Sequence, residues 1–306
     1  MLAFKKVIIT SWLLLNTALA LEISSNTVDR GTIALNVGDI TIDSGASWSI
    51  INNAVSTLVG SLDVQPDAGF YITSTSPLIA LQVTLTSLLS TINNDGTIVF
   101  DSRDSLTASN YNLVGATFTN TGDMFLAASG IVPSSMSLTA ANWDNSGLIV
   151  FSQNQRSSGT VSLGATGGAI TNDGQICLDN EVYQQTTSIN GGGCFTANQD
   201  STIYISNSLL PVATTQNFYL ADSQSSILAQ ALSTPQTFNV YGFGNGNMIG
   251  ITLPLTPSVG LPGQPAYSYN AATGVLTLRN LLVTQNFYIG TGYNPSLFSI
   301  VTDAGA

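Results

Sequence analysis

The chain has 306 residues, of which 8% are charged, and its 6 Lys and Arg, 17 Asp and Glu and no His give a formal charge of −11 at pH 7. So few basic residues exclude nucleic acid and anionic membrane surfaces as partners, because phosphate recognition needs clustered Lys and Arg. The lack of histidine excludes Ser-His-Asp and Cys-His catalytic sites and removes the commonest general base.

The first predicted element is a secretory signal peptide over residues 1–20. Lys5 and Lys6 precede the apolar run VIITSWLLL, and the peptide ends in Ala-Leu-Ala, the small-x-small pattern of a cleavage site. We expect cleavage there and no membrane span in the mature chain; a retained N-terminal anchor is the alternative. Loss of the two lysines leaves 4 Arg against 17 acidic residues, a net charge of −13.

A short unit recurs along residues 21–235. It reads apolar-x-Asn-x-Gly-x-apolar-x-apolar, its glycines stand 26, 25 and 27 residues apart, and the spacing extends downstream to Ser201. A period of this size predicts a repeat architecture. The four units are INNDGTIVF with Asn94 and Gly96, FTNTGDMFL with Asn120 and Gly122, WDNSGLIVF with Asn145 and Gly147, and ITNDGQICL with Asn172 and Gly174.

The unit predicts stacked β-strands. Apolar residues alternate after each glycine, which is typical of a strand with one buried face. A coil of about 26 residues fits one turn of a β-solenoid, whose coils pair at about 4.8 Å. Stacking in register would let the Asn amides hydrogen-bond along the stack, and Gly would supply a φ that other residues resist. We therefore predict structural corners, with ligand binding by the four Asn as the alternative.

Two pairs of acidic residues are candidates for a glycan-cleaving site. Hydrolysis of a glycosidic bond uses two facing carboxyl groups, one of them a general acid. Asp101 and Asp104 flank Arg103, and Asp179 and Glu181 flank an Asn. A solvated polar corner is the simpler interpretation of both pairs, so no catalytic, cofactor or metal residue is predicted.

The chain contains two cysteines, Cys177 and Cys194. An even number of cysteines in a secreted chain usually pairs, so we predict a disulfide, which would contribute on the order of 3 kcal/mol. Two buried free thiols are the alternative. A metal site is less favoured, because two cysteines without histidine supply too few ligands.

The sequence pattern of residues 236–306 differs from that of the repeated units before it. QTFNVYGFGNGNMIGITLPL reads as strand, glycine-rich turn and strand, and a hairpin is expected at Ala-Thr-Gly, 272–274. We predict a small β-sandwich that caps the open edge of the solenoid. Its aromatic residues could form an exposed sugar platform, but core packing is the expected role for most of them. They are Tyr241, Phe243, Tyr267, Tyr269 and Tyr293.

Four features together resemble the N-terminal domain of the fungal hyphally regulated cell wall protein family. They are the signal peptide, the Asn-x-Gly coils, the block GQICLDNEVYQQTTSINGGGCFTANQDSTIYIS and the segment YGFGNGNMIGI. The resemblance covers essentially the whole mature chain, and the block with both cysteines is its most specific part. It implies a right-handed parallel β-helix followed by a small β-sandwich domain.

The resemblance also implies a location. Family members are displayed on mannoproteins that are tied to wall glucan through a remnant GPI anchor. This chain ends at SIVTDAGA without a Ser/Thr-rich stalk or anchor signal. We therefore expect either a fragment of a longer GPI-anchored parent or a truncated, released member. The family supplies no ligand-binding residues that could be carried over.

As a whole the sequence predicts a secreted, non-enzymatic domain of the fungal cell wall that mediates adhesion to surfaces, to cells or in biofilms. Expected partners are cell-wall polymers, abiotic or host surfaces, or other cells, held weakly by flat Ser-, Thr- and Asn-rich faces and strengthened by copy number. No cofactor is expected. A lectin-like glycan-binding domain is the alternative, and a β-helix polysaccharide-active enzyme is less favoured.

Overall fold

The structure, a computed structural model, describes residues 20–33, 38–86, 89–206, 210–232, 234–258, 263–281 and 283–301. Residues 1–19 of the predicted signal peptide lie outside this range. The described residues form 28 strands and a single short 3-10 helix, Pro295–Leu297. No helix in this part of the chain combines the length and the apolar character that crossing a bilayer requires.

The strands follow one another in chain order. They are β1 Leu21–Ile23, β2 Thr27–Arg30, β3 Ile40–Ile42, β4 Ser47–Ile51, β5 Val55–Leu58, β6 Leu62–Val64, β7 Gly69–Thr73, β8 Gln82–Thr86, β9 Thr91–Asn94, β10 Thr97–Ser102, β11 Asn110–Asn120, β12 Asp123–Ala128, β13 Ser135–Asn145, β14 Leu148–Gln153, β15 Val161–Leu163, β16 Ala169–Asn172, β17 Gln175–Asp179, β18 Val182–Gln184, β19 Ser188–Asn190, β20 Cys194–Asn198, β21 Thr202–Ile205, β22 Asn217–Leu220, β23 Ser226–Ala229, β24 Thr237–Tyr241, β25 Met248–Ile251, β26 Tyr267–Asn270, β27 Val275–Asn280 and β28 Val283–Tyr288.

Two sheets form the walls of a β-solenoid of about nine turns, which confirms the all-β solenoid part of the prediction. The first sheet runs β1-β3-β6-β9-β11-β13-β15-β18-β21-β23-β25, with β5, β8, β16 and β19 beside this path. The second sheet runs β2-β4-β7-β10-β12-β14-β17-β20-β22-β24-β28-β27-β26. Coils pair in parallel and in register, as Thr97 does with Asp123. The right-handed winding stays a prediction, favoured by the usual hand of parallel crossovers.

The core lies between the two sheets and follows directly from the alternation in the sequence. In β10, Ile98, Phe100 and Ser102 are buried and the residues between them are partly exposed. Because equivalent residues stack from coil to coil, aromatic side chains meet along the solenoid axis. Phe118 stands opposite Trp143, and their rings stack with centroids 4.9 Å apart.

The four Asn of the repeated unit form a hydrogen-bonded ladder inside the corner between the sheets. Each ends a strand of the first sheet and is at most 2% exposed. Asn94 Nδ2 donates to Asn120 Oδ1 at 2.7 Å, and Asn120 Nδ2 donates to Asn145 Oδ1 at 2.7 Å. Asn145 Nδ2 donates to Asn172 Oδ1 at 2.8 Å. Burial keeps these amides away from a dissolved ligand and favours their structural role over ligand binding.

The corner glycines are required by space rather than by an unusual φ, which corrects the sequence expectation. None of the four has a φ in the left-handed region. A Cβ on Gly122 would lie 2.1 Å from the carbonyl oxygen of Gly96, and one on Gly147 would lie 2.1 Å from that of Gly122. A Cβ on Gly174 would lie 2.2 Å from the carbonyl oxygen of Gly147. The stacked backbone therefore occupies the place where any other side chain would begin.

The coil length varies more than the spacing of the four units suggests. Gln175 stands opposite Cys194, a step of 19 residues. The corner above Gly174 is formed by Gly193, whose Cβ would lie 2.2 Å from the Gly174 carbonyl oxygen. The equivalence of Ser201 with this corner, which the spacing predicts, is therefore wrong.

The described residues after Pro235 continue the solenoid where a sandwich is predicted. β24 and β25 pair in parallel with β22 and β23, so both sheets run past Pro235. β28 then pairs with β24 in parallel, and β27 and β26 follow as antiparallel strands joined at the expected hairpin, where Gly274 has a φ of 71°. The described residues thus extend both sheets and form no separate sandwich. The domain limits 21–235 and 236–306 stay a prediction, because strand pairing alone does not define folding units.

Candidate functional site

The outer face of the second sheet carries a continuous column of mostly apolar side chains. Val99, Phe125 and Val150 stand in register on consecutive coils and are partly exposed. Strands lie about 4.8 Å apart, so eight such positions span about 34 Å along the solenoid. The outer face of a half-buried sheet is normally polar, so this face is a candidate contact surface. The outer column consists of Tyr71, Val99, Phe125, Val150, Cys177, Thr196, Tyr219 and Tyr241.

The outer face of the first sheet is polar by contrast. Thr84, Asn112, Ser137 and Ser162 stand in register on four consecutive coils. Ser137 Oγ donates to Asn112 Oδ1 at 2.8 Å, so part of this hydrogen-bonding capacity is already used within the protein. The solenoid therefore has two chemically distinct faces, one of which matches the Ser-, Thr- and Asn-rich surface that the sequence predicts.

A shallow depression of about 430 Å³ lies at one end of the outer column. Tyr219 and Tyr241 stand in register on β22 and β24 and are 43% and 46% exposed. Tyr219 is missed by the sequence analysis, although its position between buried Phe218 and Leu220 is the signal of an outward side chain. The depression is lined by Gln175, Cys194, Thr196, Asn217, Tyr219 and Tyr241.

The other aromatic residues that were considered as a platform pack together. Phe243, Tyr267, Tyr269 and Tyr293 are partly buried against the core. The Tyr293 hydroxyl donates to the Phe243 carbonyl oxygen at 2.7 Å, and the Tyr269 and Tyr293 rings meet edge to face at 6.0 Å. The expected packing role holds for these four residues, whereas Tyr241 lies on the outer face.

A second depression, of about 480 Å³, follows the outer side of the glycine corners near the N-terminal end. Its wall includes the carboxylates of Asp67, Asp95 and Asp123. The Asp95 carboxylate accepts hydrogen bonds from Thr121 and Asn93. Within the described residues, no three His, Cys, Asp or Glu side chains are grouped to hold a metal ion.

The two cysteines are free thiols, which corrects the predicted disulfide. Cys177 stands opposite Thr196 and Cys194 stands opposite Gln175, so the cysteines are offset by two residues on neighbouring strands. Diagonal neighbours on a sheet lie about 7–8 Å apart, whereas the Cα atoms of a disulfide lie about 4.4–6.8 Å apart. Burial raises the pKa of both thiols and favours their neutral form.

The first acidic pair forms a solvated corner, as predicted. Arg103 and Asp104 are exposed, and the Arg103 guanidinium donates to Asp101 Oδ2 at 2.7 Å. An exposed ion pair of this kind contributes little to stability.

The second acidic pair does not match its prediction, because Glu181 is only 1% exposed. Asn180 has a φ of 55°, which shifts the alternation by one residue and turns Glu181 inward. Neither carboxyl oxygen of Glu181 has a hydrogen-bond partner among the described residues. Burial is the main cause that raises the pKa of Glu181 to about 8, while the nearby Gln153 and Arg156 oppose the shift.

The positions of Asp179 and Glu181 do not suit glycoside hydrolysis. Asp179 lies on the outer face of β17, where its carboxylate accepts from Asn198 Nδ2 at 3.0 Å. A sugar that reaches Asp179 does not reach the buried carboxyl group of Glu181. The two groups therefore do not flank a common solvent-exposed point, as an acid and its partner carboxylate must.

Comparison with known proteins identifies the family. Residues 11–306 match the family described as hyphally regulated cell wall protein N-terminal. The chain is 72% identical over 306 residues, its full length, to cell wall protein RBR3 of Candida albicans. It is 63% identical over 303 residues, 99% of its length, to hyphally regulated cell wall protein 3 of the same species. It spans 19% and 24% of the length of these two relatives. The chain therefore belongs to the hyphally regulated cell wall protein family, and with its relatives to the secreted proteins of the fungal cell wall.

Proposed function

We propose that this domain is a non-enzymatic adhesion module that attaches fungal cells to surfaces, to other cells or within biofilms. The outer column of the second sheet is the observation that carries the proposal. It presents uncharged, mostly apolar side chains in one straight row on a rigid body. Desolvating these side chains costs less than desolvating the carboxylates of Asp101, Asp123 and Asp179, which lie beside the row on the same face.

The contact of a single domain is weak. Val99, Phe125 and Val150 are each partly exposed already, so only part of each side chain is newly buried on contact. Each Å² of apolar area contributes about 25 cal/mol, and the loss of translational and rotational freedom offsets several kcal/mol of the total. Many copies on one wall would raise the combined affinity without any further contact.

The proposed display follows from the relatives. They are named as cell wall proteins and are several times longer than this chain. We place the domain at the exposed end of a longer, GPI-anchored parent protein that holds it away from the wall. Cell-wall polymers, abiotic or host surfaces and other cells are the partners that such a position makes accessible.

The absence of catalysis is part of the same proposal. The carboxyl groups of Asp179 and Glu181 do not face each other at the surface, and Asp101 is paired with Arg103. The sequence holds no histidine to serve as base or nucleophile partner.

The test compares yeast cells that display the domain on an inert stalk with cells that display the stalk alone. Attachment to plastic, to immobilised glycans and to other yeast cells is scored at equal display density. The proposal predicts stronger attachment of the domain-bearing cells to at least one of these surfaces. Equal attachment to all of them would refute adhesion, and turnover of a wall polysaccharide by the purified domain would refute the non-enzymatic part.

A further inference from the structure

We propose that the depression at Tyr219 and Tyr241 binds a short stretch of neutral polysaccharide. This inference rests on the proposed adhesion function and names one chemical class of surface for it. The remainder of the outer column contacts surfaces without selecting a ligand, whereas this end has the composition of a sugar site. The depression is shallow and open to solvent, so a ligand there lies on the surface of the sheet and is not enclosed.

Tyr219 and Tyr241 are exposed side chains in register on neighbouring coils. No ring contact joins Tyr219 to Tyr241 or to another aromatic residue in the described part of the chain, although their strands pair directly. The Tyr219 ring leans toward Gly242, where an added Cβ would lie 3.1 Å from its Cε2 atom. Gly242 has a φ of 77° and turns the chain away directly after Tyr241. The rings therefore form two separate platforms, and the C–H face of a pyranose ring can lie on each of them.

Free polar atoms surround these rings. The Tyr219 and Tyr241 hydroxyls have no hydrogen-bond partner among the described residues. Asn217 Nδ2 donates to the Thr215 carbonyl oxygen at 3.3 Å, which fixes the amide and leaves its Oδ1 as a free acceptor. Gln175 is exposed, and its Nε2 makes a long contact of 3.4 Å with Thr196 Oγ1. Sugar hydroxyls both donate and accept, so they can satisfy hydroxyl and amide groups together.

The charge of the site selects a neutral ligand. All six lining residues are Gln, Cys, Thr, Asn or Tyr, and burial raises the pKa of the Cys194 thiol and favours its neutral form. Recognition of an anionic sugar would need Arg or Lys to offset the desolvation of its carboxylate. None lines the depression.

Other positions of the outer column lack this combination. Phe125 stands between Val99 and Val150, so no second aromatic ring adjoins it in the column, and none of these three side chains bears a hydroxyl group. Tyr71 lies over its neighbour Gly69, where an added Cβ would be 2.4 Å from the tyrosine hydroxyl. Two exposed tyrosines in register, flanked by amides, occur in the column only at this end.

The test is a titration of the purified secreted chain with neutral hexasaccharides of glucose, mannose and N-acetylglucosamine, followed by NMR. We expect at least one to bind saturably with a Kd on the order of 1 mM, as a shallow site allows. Tyr219→Ala or Tyr241→Ala should each weaken that binding by about tenfold or more, as loss of an aromatic anchor does. Tyr219→Phe keeps the ring and should cost less than about threefold.

The matched control is Tyr204→Ala on the outer face of the first sheet, which should leave binding unchanged. Thermal unfolding of each variant establishes that the fold is retained. No saturable binding of any neutral hexasaccharide would overturn the proposal. An equal loss in Tyr204→Ala, or tighter binding of a galacturonic acid hexamer, would overturn it as well.

The same variants separate this inference from the proposed function. If cells that display the Tyr219→Ala and Tyr241→Ala chain still adhere to plastic but no longer to neutral glycans, both proposals stand. If the unaltered domain adheres but binds no hexasaccharide, the sugar site fails and adhesion stands. If the domain neither adheres nor binds, both fail.

Discussion

Replacing Glu181 with glutamine removes a buried ionisable group without changing the size of the side chain. Glu181 is 1% exposed, and its carboxyl oxygens have no hydrogen-bond partner among the described residues. Its pKa is raised from 4.5 to about 8, chiefly by burial. The folded protein therefore binds this proton more tightly than the unfolded chain does. The stability contributed by the protonated group is complete below pH 4.5 and is lost as the pH rises to about 8.

The magnitude follows from the size of the shift. One pKa unit corresponds to about 1.4 kcal/mol, so ionisation of Glu181 removes about 3 kcal/mol between pH 4.5 and pH 7. The loss levels off above about pH 8. Glu181→Gln does not titrate, so we expect it to be more stable than the native chain by about 3 kcal/mol at pH 7 and about equal to it at pH 4.

Urea unfolding at pH 4, 5.5, 7 and 8.5 measures this difference directly. Asp104→Asn is the control, because it makes the same chemical change at an exposed side chain and should alter stability by less than about 0.5 kcal/mol at every pH. A difference between Glu181→Gln and the native chain that is the same at pH 4 and pH 8.5 would show that the group titrates normally. The account of its burial would then be wrong.

Three further predictions concern the corners and the thiols. Asn145→Ala breaks two ladder hydrogen bonds and should lower the free energy of unfolding, measured in urea, by about 1–3 kcal/mol. The control Asn142→Ala, at an exposed position on the same strand, should lower it by less than about 0.5 kcal/mol. Equal effects of the two substitutions would contradict the ladder. Gly122→Ala should cost about 3 kcal/mol or more, because its Cβ meets stacked backbone, whereas Gly192→Ala has 3.9 Å of room and should be tolerated. Thiol labelling of the denatured, unreduced chain should detect two free thiols, and finding none would restore the disulfide.

The repeated unit made the solenoid predictable. Period-two alternation identifies the strands, and the even spacing of Asn94, Asn120, Asn145 and Asn172 identifies coils that stack in register. The ladder follows from that stacking, because equivalent side chains on parallel coils are neighbours. The need for glycine was predicted for the wrong reason, since the close approach of stacked backbones becomes visible only when coils are placed on one another.

The failures share a physical cause, which is the dependence of each feature on the exact register. The step of 19 residues from Gln175 to Cys194 sets the cysteines diagonally apart, and cysteine number carries no information on that offset. The inward turn of Glu181 depends on the left-handed Asn180, a conformation that many Asn residues do not adopt. The exposed pair of Tyr219 and Tyr241 depends on pairing across a step of 22 residues, outside the period of the four repeated units.

Attachment through the outer column of the second sheet is the central claim, and cell detachment under flow tests it most directly. Cells would display the native domain, a second-sheet variant with Phe125→Thr and Val150→Thr, or a first-sheet variant with Thr84→Ala and Ser137→Ala, all at equal density. Threonine keeps the preference for strand at these outward positions while reducing the apolar surface. We predict that the shear stress that detaches half of the cells falls toward the stalk-only value for the second-sheet variant and stays at the native value for the first-sheet variant. The claim would be contradicted if the second-sheet variant detached at the same shear stress as the native domain, whether or not the first-sheet variant detached at a lower one.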